Sequence, residues 1–121
     1  MKKESKARVA VRLASRELVV EVYRLTATFP QIEKFRSGQE IRKIATTMSS
    51  HISEGSSRPD FEEQTAYLLM AYESLVELMN KIIEARKKNI IPLEKYALIK
   101  LRIDDLAYKI DLVSKPDLNK S

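Results

Sequence analysis

An antiparallel, up-down-up-down four-helix bundle is the fold this all-α sequence predicts, and three observations predict it. Apolar residues recur at steps of three and four along almost the whole chain, the period of one helical face. Sustained two-residue alternation, the mark of a half-buried strand, is missing. The 2 glycines and 4 prolines fall where the period breaks, dividing the chain into segments at about 7–28, 38–54, 59–88 and 92–114. Short connections make successive helices antiparallel neighbours. A length of 121 residues suits one domain, residues 7–114, between a basic N-terminal tail (1–6) and a C-terminal tail (115–121).

In the first segment Val11, Ala14, Leu18, Val22, Leu25 and Phe29 share a face. Ile41, Ala45, Met48 and Ile52 do so in the second, and Ser37-x-x-Glu40 has the spacing of a capping box. The third has a heptad spine of Phe61, Leu68, Tyr72, Leu75, Met79 and Ile82, widened by Leu69, Val76 and Ile83. Pro59 and Asp60 suit its first turn, and Arg86, Lys87 and Lys88 its negative C-terminal end. Pro92 opens the fourth, where Leu98, Leu101, Tyr108 and Leu112 line one side.

Two segments have a second apolar side. Ile99, Ile103, Leu106, Ile110 and Val113 lie roughly 145° around the fourth helix from the Leu98 stripe. Val9, Leu13, Val20 and Ala27 lie opposite the Leu18 stripe on the first. A monomeric bundle buries one face of each helix, and contiguous wet apolar patches mark interfaces. The expectation is a homo-oligomer with Val9, Leu13, Val20, Ile99, Ile103, Leu106, Ile110 and Val113 at the subunit contact.

Chemistry is narrowed mainly by what the composition omits. With no cysteine, thiol catalysis, disulfides and cysteine-held metals are excluded. The 1 histidine, His51, cannot supply the paired Glu-x-x-His motifs of a di-metal bundle, and His51-Ile52-Ser53-Glu54 runs in reverse order. No phosphate-cradling glycine loop occurs, and Asp104 and Asp105 diverge on a helix. The sequence therefore predicts no metal, no cofactor and no enzymatic activity. His51, among Ser49, Ser50, Ser53, Ser56 and Ser57, is read as a hydrogen-bonding residue near the end of the second helix. The longest apolar run, Ala66 to Tyr72, is far below the ~20 residues of a membrane span, and no signal-like segment is read. A cytoplasmic protein without a membrane partner is expected.

The formal charge is +5 at pH 7, and its placement is uneven. Residues 1–60 hold 12 basic and 7 acidic side chains, whereas residues 61–121 hold 10 of each. Arg8, Arg12 and Arg16 recur every fourth residue behind Lys2, Lys3 and Lys6, with Arg42 and Lys43 on the second segment. Arginine forks at this step can follow phosphates along a nucleic-acid backbone. These eight residues are the expected contacts to RNA or DNA. The other reading of the row is a solvated face partly neutralised by Glu17 and Glu21.

Particular blocks resemble a known family. Glu17-Leu18-Val19-Val20-Glu21-Val22-Tyr23-Arg24-Leu25-Thr26 with Phe29-Pro30, then Ile41-Arg42-Lys43-Ile44-Ala45, are similar to the bacterial four-helix-bundle proteins encoded by intervening sequences of 23S ribosomal RNA genes. His51-Ile52-Ser53-Glu54-Gly55-Ser56-Ser57-Arg58 and the run from Tyr67-Leu68 to Leu78 continue the resemblance, which spans about residues 12–110. Ser49, His51 and Ser53 depart from the family's proline, asparagine and alanine. The resemblance implies a homopentameric barrel. It also implies likeness to the basic accessory protein of diversity-generating retroelements, which binds a reverse transcriptase and nucleic acid. The function expected is a non-enzymatic oligomer binding RNA or DNA, or a protein that handles them. The alternative is a scaffold with no nucleic-acid role.

Overall fold

A computed structural model describes residues 4–115. Four long helices, α1 (Lys6–Ala27), α3 (Gln39–Ser56), α4 (Phe61–Lys87) and α5 (Leu93–Ser114), make up the bundle among these residues, with a single turn, α2 (Gln31–Glu33), after α1. The helix α1 packs on α3 and α5, and α4 packs on the same two. The diagonal corners are therefore α1 with α4 and α3 with α5. Among the described residues no helix is long and apolar enough to cross a membrane.

Local chemistry fixes the ends. The Ser5 hydroxyl accepts from the Arg8 amide at 3.2 Å, capping α1 inside the expected N-terminal tail. Asp60 is the cap before α4, accepting from the Glu63 amide at 2.8 Å, and Pro59 precedes the helix. The far end of α4 closes through Asn89 at φ 60, where the Ile90 amide reaches the Ala85 carbonyl and the Asn89 amide that of Arg86. This sharp reversal lets α5 return along α4.

No capping box forms at Ser37 and Glu40. The chain passes from α2 through a π-turn, Lys34–Gly38, straight into α3, so no free helix start exists there. The Ser37 hydroxyl instead donates to the Glu33 carboxylate one turn back, at 2.8 Å. Gly38 permits this wide turn, since a Cβ there would stand 3.1 Å from the Glu33 carbonyl oxygen.

Of the predicted core, Val11, Leu18, Val22 and Leu25 of α1, Phe29 just beyond it, and Ile41, Ala45, Met48 and Ile52 of α3 are buried, while Ala14 is half-buried against them. On α4 the buried spine runs through Leu68, Ala71, Leu75, Leu78, Ile82 and Ala85. Phe61, Leu69, Tyr72 and Val76 are exposed, and Met79 and Ile83 are half-buried. Small alanines take positions at the packed face, leaving the larger side chains on the flank.

On α5 the two faces are the reverse of the expectation. Ile99, Ile103, Leu106 and Ile110, expected at a subunit contact, are at most 3% exposed and belong to the protomer's own core. Val113, expected beside them, is half-buried against that core. Leu98, Leu101, Tyr108 and Leu112, expected inside, point outward. The cause is legible afterwards: Asp105 lies between Leu101 and Tyr108 on the outer stripe, whereas the isoleucine stripe has no charge in it. On α1 the expected second face stands, with Leu13 and Val20 about half exposed and Val9 half-buried.

Candidate nucleic-acid interface

The flank between α1 and α3 collects most of the described basic residues singled out in the sequence, but in different chemical states. Arg16 is exposed and lines an open groove of about 540 Å³ with Val19, Val20, Thr46, Ser49, Ser50, Ser53 and Glu54. Lys6 and Lys43 are exposed. Arg8 is half-buried nearer the end of α3, beside Ile52, Gly55 and Ser56. Lys2 and Lys3 lie outside the described residues.

Arg12 and Arg42 are engaged within the protomer. The Arg12 Nε stands 3.0 Å from both carboxylate oxygens of Glu4. Arg42 donates from Nε to the Thr26 hydroxyl at 2.6 Å and from Nη2 to the Tyr23 carbonyl at 3.1 Å, with its guanidinium 4.4 Å from the Tyr23 ring centre. It clasps α3 to the last turns of α1, a role the arginine row did not suggest. Sequence reasoning read Ser49, Ser50 and Ser53 only as neighbours of His51 and passed over Thr46, so it missed their place along the groove. Their steps of three and four place them along one side of α3, opposite the arginines. Ser49, Ser50 and Ser53 can donate to phosphate oxygens where the Arg16 charge draws a polyanion in, whereas the Thr46 hydroxyl already donates to the Lys43 carbonyl at 3.0 Å.

The Arg12 guanidinium holds the Glu4 carboxyl below the usual carboxylate range, chiefly by hydrogen bonding. A depressed pKa means that the pair stabilises the start of α1 fully above the ordinary carboxylate pKa, and that this is lost as pH falls through the lowered value. Amide hydrogen exchange in the first turn of α1 should accelerate at acid pH beyond the intrinsic trend. Glu4→Gln should be fast already at neutral pH and lack that acid step; an unchanged profile would refute the assignment.

The Gly55-Ser56-Ser57-Arg58 block is an interhelical joint. Gly55 is buried in the last turn of α3, where a Cβ would stand 2.9 Å from the Cβ of Tyr67 on α4. The Arg58 Nη2 donates to the Tyr67 hydroxyl and to the Glu54 carboxylate, each at 3.0 Å, and Gln64 Nε2 donates to the Arg58 carbonyl at 2.7 Å. His51 is half-buried with its ring 6.5 Å from that of Tyr67, so it faces α4 and not the groove.

Fold and flank together define a small helical-bundle protein whose distinguishing surface is a groove that sets Arg16 across from a row of hydroxyls. The family model described as 23S rRNA-intervening sequence protein matches residues 8–111, and the chain belongs to that family. No curated protein matches it.

Proposed function

We propose that the protein is a non-enzymatic, cytoplasmic homo-oligomer that binds RNA or DNA, or a protein that handles them, through its α1–α3 flank. The observation that carries this reading is the α1–α3 groove, where exposed Arg16 faces a row of α3 hydroxyls. Lys2, Lys3, Lys6, Arg8 and Lys43 extend the positive field and Arg42 adds charge from a fixed position, while the charge of Arg12 is largely offset by Glu4. Backbone contacts of this kind orient a nucleic acid without reading its sequence, so weak sequence preference follows. Oligomerisation is supported by exposed large apolar residues on α1, α4 and α5. Repeating one flank around a closed ring, of five copies if the family resemblance holds, raises avidity on a long polyanion.

Fluorescence anisotropy with labelled RNA and duplex DNA across a salt series tests the reading. Affinity should fall steeply with salt, and on duplex DNA the log–log slope should flatten by roughly 0.9 for each phosphate contact removed. Arg8→Ala and Arg16→Ala should each flatten it, whereas Arg12→Ala, whose charge Glu4 already offsets, should change it less. Binding that persists unchanged from low to moderate salt overturns the proposal. A second reading, a scaffold with no nucleic-acid role, draws support from the engagement of Arg12 and Arg42 within the protomer. It predicts no anisotropy change with either nucleic acid.

A further inference from the structure

We infer that the subunit contact is a parallel, level seam between α1 of one copy and α4 of the next, an inference that rests on the oligomeric reading above. Two exposed rows carry it. Leu13, Val20 and Ala27 stand at seven-residue steps on the outside of α1. Leu69, Val76 and Ile83 stand at the same steps on α4, the first two exposed and the third half-buried. Seven-residue spacing keeps an apolar seam in register between two parallel helices.

The rows are also at equal height. Val11 and Leu68 line one small cavity near one end of the bundle. Towards the other, Tyr23 meets Arg42, and Glu40, two residues back along α3, meets Lys81. The contacts put each α1 residue level, to within about two residues, with the α4 residue 56 positions later, at a rise of ~1.5 Å per residue. Leu13 is thereby level with Leu69, Val20 with Val76 and Ala27 with Ile83. Within a protomer these rows cannot meet, because α1 and α4 occupy diagonal corners. A closed ring brings its copies together with no vertical shift, so level, unlike faces are what a ring contact requires.

Charge selects a second copy as the occupant. The helix α1 carries five basic and two acidic residues, and α4 carries five acidic and three basic ones. A face lying on α1 is therefore best matched by α4 of the same protein. The α4 row also lies on the flank away from α3, since Tyr67 and Lys81, which meet α3, are on the other side. The α1 row instead borders the α1–α3 groove, which Val20 lines, so the seam runs along the rim of that groove.

The absence of native cysteine makes disulfide trapping clean. The full chain carrying Val20→Cys and Val76→Cys should form, under mild oxidation, a ladder of covalent multimers on a non-reducing gel, with most chains cross-linked. Either single variant should give none. The off-level pair Val20→Cys with Leu69→Cys, displaced by ~10 Å along the seam, should cross-link at least tenfold less. Light scattering on the unmodified protein separates the two failures. An oligomer whose level pair does not cross-link, or cross-links no better than the off-level pair, overturns the seam and leaves the oligomer standing. A particle of single-chain mass at micromolar concentration overturns both.

Discussion

Leu106→Ala is expected to destabilise the protein by about 2–5 kcal/mol, the usual range for emptying a fully enclosed leucine site. Leu106 is 0% exposed, among the isoleucines that α5 turns into the bundle. Its loss removes apolar contacts and leaves a cavity that surrounding helices close only in part. Leu101→Ala, five residues earlier on the same helix, is the matched control, because Leu101 is 66% exposed. Its effect on the protomer fold should stay within about 0.5 kcal/mol. Urea denaturation at several protein concentrations tells the two apart. The Leu106→Ala loss should appear as a lower midpoint with an unchanged slope, at every concentration. Any Leu101→Ala loss should instead vary with concentration, since stability drawn from association does so. Equal losses for the two variants, or a larger one for Leu101→Ala, would mean that α5 presents its other face to the core.

That reversal shows where periodicity stops being informative. Number and order of the long helices were legible because Pro30, Pro59 and Pro92 stand at the connections; the glycines lie inside the helical path, Gly38 in the π-turn and Gly55 in the last turn of α3. The buried face of α3 was legible because its opposite face is polar, and that of α1 because Arg16 and Arg24 flank its second apolar row. On α5 two apolar stripes compete and spacing ranks neither; only Asp105 within the outer one marks it as wet. On α4, positions such as Ala71 and Ala85 are buried because they are small enough for close helix contact, which a search for large apolar residues overlooks. The arginine row was visible, but its division into exposed and engaged members was not. Whether a guanidinium is exposed depends on partners such as Glu4, eight residues away from Arg12, and Thr26, sixteen away from Arg42. Those distances are set by the fold, not by local pattern.

Gly55→Val should lower stability by about 1–3 kcal/mol, the cost of overpacking a tight contact. A competing effect runs the other way: glycine is disfavoured inside a helix by up to about 1 kcal/mol relative to alanine, and most of that preference would be recovered by replacing it. Geometry decides between them. A Cβ at position 55 would lie 2.9 Å from the Tyr67 Cβ and 3.4 Å from the Gln64 carbonyl oxygen. Neither atom is the free end of a flexible chain, so relief requires α3 and α4 to move apart. That movement draws Tyr67 away from Arg58 and weakens the 3.0 Å hydrogen bond closing the α3–α4 turn. Valine adds two methyl groups to the same clash and has a lower helix preference than alanine, so it should be the worse of the two replacements. Chemical denaturation should therefore rank glycine above alanine and alanine above valine. The valine protein should also lose part of the near-ultraviolet circular dichroism contributed by Tyr67, whose full contribution is defined by a Tyr67→Phe reference that lacks the phenol chromophore. A midpoint that rises with alanine and stays level with valine would mean that the helices yield without cost at this crossing, and that Gly55 is not what brings α3 and α4 into contact.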